Sequence, residues 1–276
     1  MSEQILILCI IGPTASGKSG RAVEEALARS GEVISVDSRQ VYTMLDIGSE
    51  KISEEEMRGV PHHLMSFVDP RAPYSAGDFV KDAAALIKDI HSRGKLPILA
   101  GGTLFYFDAL LNGLPEETPP NEVLRRKLEP LSNEALYEKI KAADPGRAEE
   151  IDPDNRRRLI RAIEIIEAHG TVPKRKPVED VYKIEWVVID PPADVLRSRI
   201  DTRLESAFAR GLIEEVRRVR DYVGDARLNE LGLEYRVVGE YLRGERTEDS
   251  LLPALSAKLW QYARRQKAWI RKLMAE

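Results

Sequence analysis

The chain has 276 residues, 43% hydrophobic and 32% charged, with a formal net charge of −4. That length suits one large domain or a core carrying an insertion, and the acidic balance argues against a uniformly basic nucleic-acid binder. No apolar run reaches the roughly 20 residues that span a bilayer, the first residues lack a basic signal segment, and the lone Cys9 excludes an intrachain disulfide and a cysteine-built zinc site, so a reducing, cytoplasmic setting without membrane contact is expected.

Ile5 to Ile11 reads as a buried strand. Gly12-Pro13-Thr14-Ala15-Ser16-Gly17-Lys18-Ser19 follows directly and fits the phosphate-binding pattern G-x-x-x-x-G-K-[ST]. A helix-like stretch from about Gly17 to Ser30 completes the strand–loop–helix setting the pattern needs. Glycines let backbone N–H groups wrap an anion, and the helix N-terminus adds positive potential. Lys18 adds a full charge, and the Ser19 hydroxyl can hold Mg²⁺. The chain is therefore expected to hold a phosphate or pyrophosphate.

Glu32 to Asp37 reads as a second strand. In a doubly wound sheet, ligands sit beyond the carboxyl ends of the strands, so Asp37 is expected at the same crevice as the phosphate loop. Three roles stay open for it: general base, Mg²⁺ ligand or helix N-cap. Ser38, Arg39 and Gln40 beside it offer hydrogen-bonding groups. Pro61-His62-His63-Leu64 is expected to serve packing or a loop hydrogen bond, because two adjacent histidines without partners make no metal site.

A helix is expected from about Ala76 to Arg93, with Ser75 and Asp78 in a capping-box arrangement. Leu96 to Ala100 is a third strand. Gly101-Gly102-Thr103 follows it, and Phe105 and Tyr106 behind that turn read as core. Then the βαβ rhythm stops. Residues 115–120 are a proline-rich acidic link, and helical patterns cover 123–128, 133–142 and 155–168. Arg157, Arg158 and Arg161 share a face of the last of these, while Leu159, Ile163 and Ile166 can face the interior. Between residues 151 and 177 lie seven Lys/Arg against four Asp/Glu, and between 258 and 272 six against none; such surfaces can grip a phosphate backbone. A strand returns over Ile184 to Asp190. The rest is helical, with breaks near Gly211, Gly224, Gly232 and Gly244, and carries Arg199 and Arg203 four residues apart.

The expected fold is α/β: a P-loop NTPase-like parallel sheet with helices on both faces. Residues 1–114 and 178–276 form this core with its C-terminal helices, and 115–177 form a helical insertion.

An ordered set of motifs resembles the tRNA dimethylallyltransferases, or tRNA isopentenyltransferases, over nearly the whole chain. It runs through the phosphate loop, Val36-Asp37-Ser38-Arg39-Gln40-Val41-Tyr42, Asp46-Ile47-Gly48, Pro61-His62-His63-Leu64, Tyr74-Ser75-Ala76 and Gly101-Gly102-Thr103. It continues through Asn155-Arg156-Arg157-Arg158-Leu159-Ile160-Arg161 to Arg264-Arg265-Gln266-Lys267. The resemblance implies transfer of a dimethylallyl group from dimethylallyl pyrophosphate to the exocyclic amine of the adenosine next to a tRNA anticodon, with Mg²⁺ as cofactor. It implies that Gly12 to Ser19 hold the pyrophosphate, that Ser19 ligands the metal, and that Asp37 takes the amine proton beside Lys18 and Thr103. It further implies tRNA contacts from Asp37, Ser38, Arg39, Gln40 and Thr103, from Arg157, Arg158, Leu159, Ile160 and Arg161, and from Arg125 or Arg126. The insertion would grip the anticodon stem-loop, with the adenosine flipped out, and the protein is expected to be a monomer. The chain departs from the family at Arg39 and over residues 229–236, where Asn229 and Arg236 compete for a pyrophosphate-contacting role. A small-molecule kinase and a prenyltransferase acting on free adenine nucleotides are the alternatives; neither needs the basic insertion helix.

Overall fold

The computed structural model describes residues 4–114, 118–173 and 181–274. Half of the acidic link expected over 115–120 and half of the basic loop expected over 170–177 lie outside these residues. The chain divides into two compact units, Met1–Leu111 with Glu179–Glu276, and Asn112–Val178.

The first unit opens with β1 (Ile5–Ile11), α1 (Lys18–Arg29), β2 (Gly31–Ser35), α2 (Glu54–Met57), β3 (His62–His63), α3 (Ala76–Ser92), β4 (Leu96–Gly101) and α4 (Leu104–Asn112). In the second unit come α5 (Glu122–Leu128), α6 (Asn133–Ala143), α7 (Pro145–Glu150) and α8 (Arg156–His169). The chain then returns through β5 (Tyr182–Val188), α9 (Ala193–Ala209), α10 (Leu212–Leu228), α11 (Leu233–Leu242) and α12 (Leu251–Leu273).

All five strands are parallel, in the order β3-β2-β4-β1-β5. Leu8 of β1 stands opposite Ile98 of β4, and Ile7 opposite Ile184 of β5. Period-two alternation divides β1 between two layers. Ile7, Cys9 and Ile11 meet Phe79, Ala83, Ile87 and Ile90 of α3, and Phe107 of α4. Leu8 and Ile10 meet Ala22, Val23 and Ala26 of α1. Cys9 is a fully buried core residue, and burial pushes its thiol far up from the ordinary value. A third cluster joins α9 to α12 with Val41, Tyr42 and Leu45. Parallel pairing brings the carboxyl ends of β1, β2 and β4 to one edge, where their following loops converge.

Three boundaries differ from expectation. β2 ends at Ser35, although the Val36 N–H still donates to Ala100 O at 2.8 Å. β5 begins and ends two residues early. His62 and His63 form a two-residue strand at the sheet edge, too short to show a period. The glycine breaks fall where expected; Gly224, at φ 77°, kinks α10, and Gly211 and Gly232 precede α10 and α11.

The second unit packs α5 to α8 around Leu128, Leu136, Ile140, Ala148, Ile151, Leu159, Ala162 and Ile163.

Candidate active site

The phosphate loop leaves β1 at the convergent edge. Gly12 is required there, since a Cβ would lie 2.6 Å from Ile189 O and 2.7 Å from Ser16 Oγ. Ala15 and Gly17 take positive φ, 60° and 93°, which turns the backbone back towards its own start. Among the described residues no side chain caps the α1 N-terminus, so its N–H groups stay open to an anion. The Lys18 ammonium donates to Pro13 O at 2.7 Å and to Ser16 Oγ at 3.5 Å, folded over the loop like a clasp. Burial lowers its pKa to about 8; the Asp37 carboxylate opposes that shift and Arg203 adds to it. Ser19 lies exposed in the first turn of α1.

Beside this loop runs the turn after β4. A Cβ on Gly101 would meet Val36 O at 2.0 Å, so only glycine fits. The Thr103 N–H donates to Val36 O at 3.2 Å, and its hydroxyl accepts from the Ser38 N–H at 3.1 Å. Asp37 Oδ1 accepts the N–H groups of Arg39 and Gln40 at 2.8 and 3.3 Å. The capping role is thus real, yet it uses one oxygen; Oδ2 carries no hydrogen bond among the described residues. Gln40 is committed to the fold: its side chain accepts from Ser35 Oγ and donates to Ser49 O and Glu50 O.

The residue that ties these loops together stood in the motif set without a role. Gln266 on α12 is 5% exposed; its Oε1 accepts the Thr14 N–H at 2.8 Å and its Nε2 donates to Gly102 O at 2.9 Å. Arg199 donates to Ser16 O at 3.2 Å, against the back of the phosphate loop. Arg203, one turn on, is half-buried, and its charge acts on Lys18, Glu50 and Glu234. Arg236 is exposed and donates to Asn229 O at 3.3 Å, while Asn229 Oδ1 is buried without a partner among the described residues.

Two other motifs are structural. His63 pairs with Glu32 at 2.8 Å, and His62 Nδ1 lies 2.9 Å from Val60 O. Arg93 foremost holds the Glu32 carboxyl far below the usual range. The N–H groups of Asp46, Ile47 and Gly48 all donate to the buried Glu215 carboxylate, which also accepts from Tyr235 OH. No group of three His, Cys, Asp or Glu able to hold a metal occurs among the described residues.

In the second unit, Arg157 and Arg158 are exposed, and neither makes an ion pair among the described residues. Arg125 and Arg161 both bind the buried Glu164, at 2.8 and 3.1 Å, and Arg161 also donates to Thr118 O at 2.6 Å. Burial would raise the Glu164 pKa, but these arginines and the Asn121 N–H outweigh it and lower the pKa. Arg126 is exposed. Leu159 corrects an expectation: it is 0% exposed in the core of this unit, so its side chain cannot meet RNA. Ile160 packs half-buried against the same core.

A family model described as IPP transferase matches residues 40–273. The chain belongs to the IPP transferase family. It is 39% identical to a tRNA dimethylallyltransferase of Thermomicrobium roseum, over 99% of this chain and 85% of that one. A tRNA dimethylallyltransferase of Roseiflexus castenholzii is 40% identical, over 98% and 90%. Among solved structures, the tRNA isopentenylpyrophosphate transferase of Bacillus halodurans aligns with a TM-score of 0.73 at 36% identity, covering 97% of this chain and 87% of that one. A eukaryotic dimethylallyltransferase acting on tRNA aligns at 0.81 with 28% identity, covering 96% and 69%. This IPP transferase family member thus has the P-loop NTPase-like fold of its relatives. No helix among its described residues is long and apolar enough to cross a membrane.

Proposed function

We propose that this chain transfers a dimethylallyl group from dimethylallyl pyrophosphate to N6 of the adenosine next to a tRNA anticodon, releasing pyrophosphate. The observation that carries it is the convergence of a clasped phosphate loop and Asp37, whose Oδ2 has no hydrogen bond among the described residues, at one sheet edge in an IPP transferase family chain. The open N–H groups at the α1 N-terminus, Lys18 and Arg203 hold the pyrophosphate and take up the charge that grows on it as it leaves. The N6 lone pair attacks the allylic carbon, the carbon–oxygen bond to pyrophosphate breaks, and Asp37 Oδ2 takes the N6 proton. Thr103 fixes the backbone of Ser38 and so the position of Asp37.

Magnesium fits this site. It takes one or two protein oxygens and completes its shell with phosphate oxygens and water, and the exposed Ser19 hydroxyl beside the loop is such a donor, with no protein cage needed. When bound, it would neutralise charge on the pyrophosphate. Arg157 and Arg158, exposed and without an ion pair among the described residues, are the insertion's phosphate contacts; Arg125 and Arg161 shape that surface through Glu164 and present their remaining donors.

The chain acts on RNA in the cytoplasm as a monomer under this reading. Purified protein with Mg²⁺ and labelled dimethylallyl pyrophosphate, offered tRNA and AMP separately, tests it. Label in tRNA alone supports it. Label in AMP, or phosphorylation of a small molecule by ATP in place of prenyl transfer, would overturn it.

A further inference from the structure

We propose that Tyr262 contacts the acceptor base and, together with Asp37, selects adenine. This rests on the prenyl-transfer reading above and names how that site recognises its acceptor.

Tyr262 lies one turn before Gln266 on α12, and residues four apart share a helix face. Gln266 is fixed between the two glycine loops by Thr14 and Gly102. Tyr262 therefore stands on the same side of α12 as Gln266. Its surroundings agree: the charges of Asp37, Glu234, Arg39 and Arg265 all act on its phenol. The residue keeps 39% of its surface open, so a ligand can reach it. Crowding first, then Asp37, pushes the phenol up to about 12, so it stays protonated and remains a donor at neutral pH. That hydroxyl has no hydrogen-bond partner among the described residues. Tyrosine hydroxyls held against protein ordinarily find one.

The chemistry of the ligand follows from the pair. Adenine carries an amine donor at C6 with ring-nitrogen acceptors, N1 and N7, on either side. Asp37 offers an acceptor and Tyr262 a donor beside it, which matches that edge. Guanine presents a carbonyl oxygen at C6, which the Asp37 carboxylate would repel.

The test uses an RNA stem-loop with adenosine, 1-deazaadenosine or 7-deazaadenosine at the acceptor position, and the wild-type chain beside Tyr262→Phe, which keeps the ring. The variant is expected to lose about tenfold in kcat/KM for RNA, the size of one hydrogen bond, with KM for dimethylallyl pyrophosphate unchanged. One of the two deaza acceptors should cost the wild type about tenfold and the variant nothing more. A variant equal to wild type, or a variant that loses as much as wild type on both deaza acceptors, would overturn the assignment of Tyr262 while leaving prenyl transfer intact. A wild-type chain that prenylates none of these RNAs would overturn the functional reading itself.

Discussion

Gln266 joins Thr14 to Gly102: one amide accepts from the first loop at 2.8 Å and donates to the second at 2.9 Å. The phosphate loop and the turn after β4 are thereby held at a fixed separation by a residue of the last helix. Gln266→Ala would leave the Gly102 carbonyl and the Thr14 N–H unpaired. The expected cost is about 1–3 kcal/mol of stability, read as a fall in Tm, with a raised KM for dimethylallyl pyrophosphate. An unchanged KM would separate the bridge from substrate binding.

Lys18 sets a pH dependence. Its pKa in the free protein is lowered to about 8, chiefly by burial. A bound pyrophosphate favours the ammonium form and so raises that pKa. Affinity is then level just below pH 8 and falls above it, by up to about tenfold per pH unit, until the raised pKa of the complex is passed. Calorimetric titration with pyrophosphate between pH 7 and 9.5 reads this directly. Lys18→Gln should bind more weakly and lose the alkaline fall.

The α8 helix separates surface from core in adjacent residues. Arg157→Ala should weaken tRNA binding and reduce the slope of log affinity against log salt by about 1, and Arg158→Ala likewise. Leu159→Ala should leave that slope alone and destabilise the second unit by about 2–5 kcal/mol, because it empties a fully buried site. Binding titrations at several salt concentrations and thermal unfolding distinguish the two.

Much of the fold was legible because its signals are local. The phosphate loop, the apolar strands and the capping box of Ser75 and Asp78 each lie within a few residues, and all appear in the structure. Signals that failed were short or distant. α7 is six residues long, marked only by Asp144 as its N-cap and Pro145 at its start, and it was not foreseen. Gln266 acts on partners 164 and 252 residues away. Glu215 explains Asp46-Ile47-Gly48, yet it sits 167 to 169 residues further on. Burial of Glu164, which claims Arg125 and Arg161, shows in no helical pattern, because a glutamate there reads as solvent-facing.

The account centres on Asp37 as the group that takes the proton while the pyrophosphate leaves. The most direct measurement is a single-turnover assay of Asp37→Ala, loaded with labelled dimethylallyl pyrophosphate and saturating tRNA, beside a tRNA-binding titration of the same variant. Loss of about 10²–10⁴-fold in the transfer rate, with tRNA still bound, is the predicted result. Transfer at the wild-type rate would contradict it.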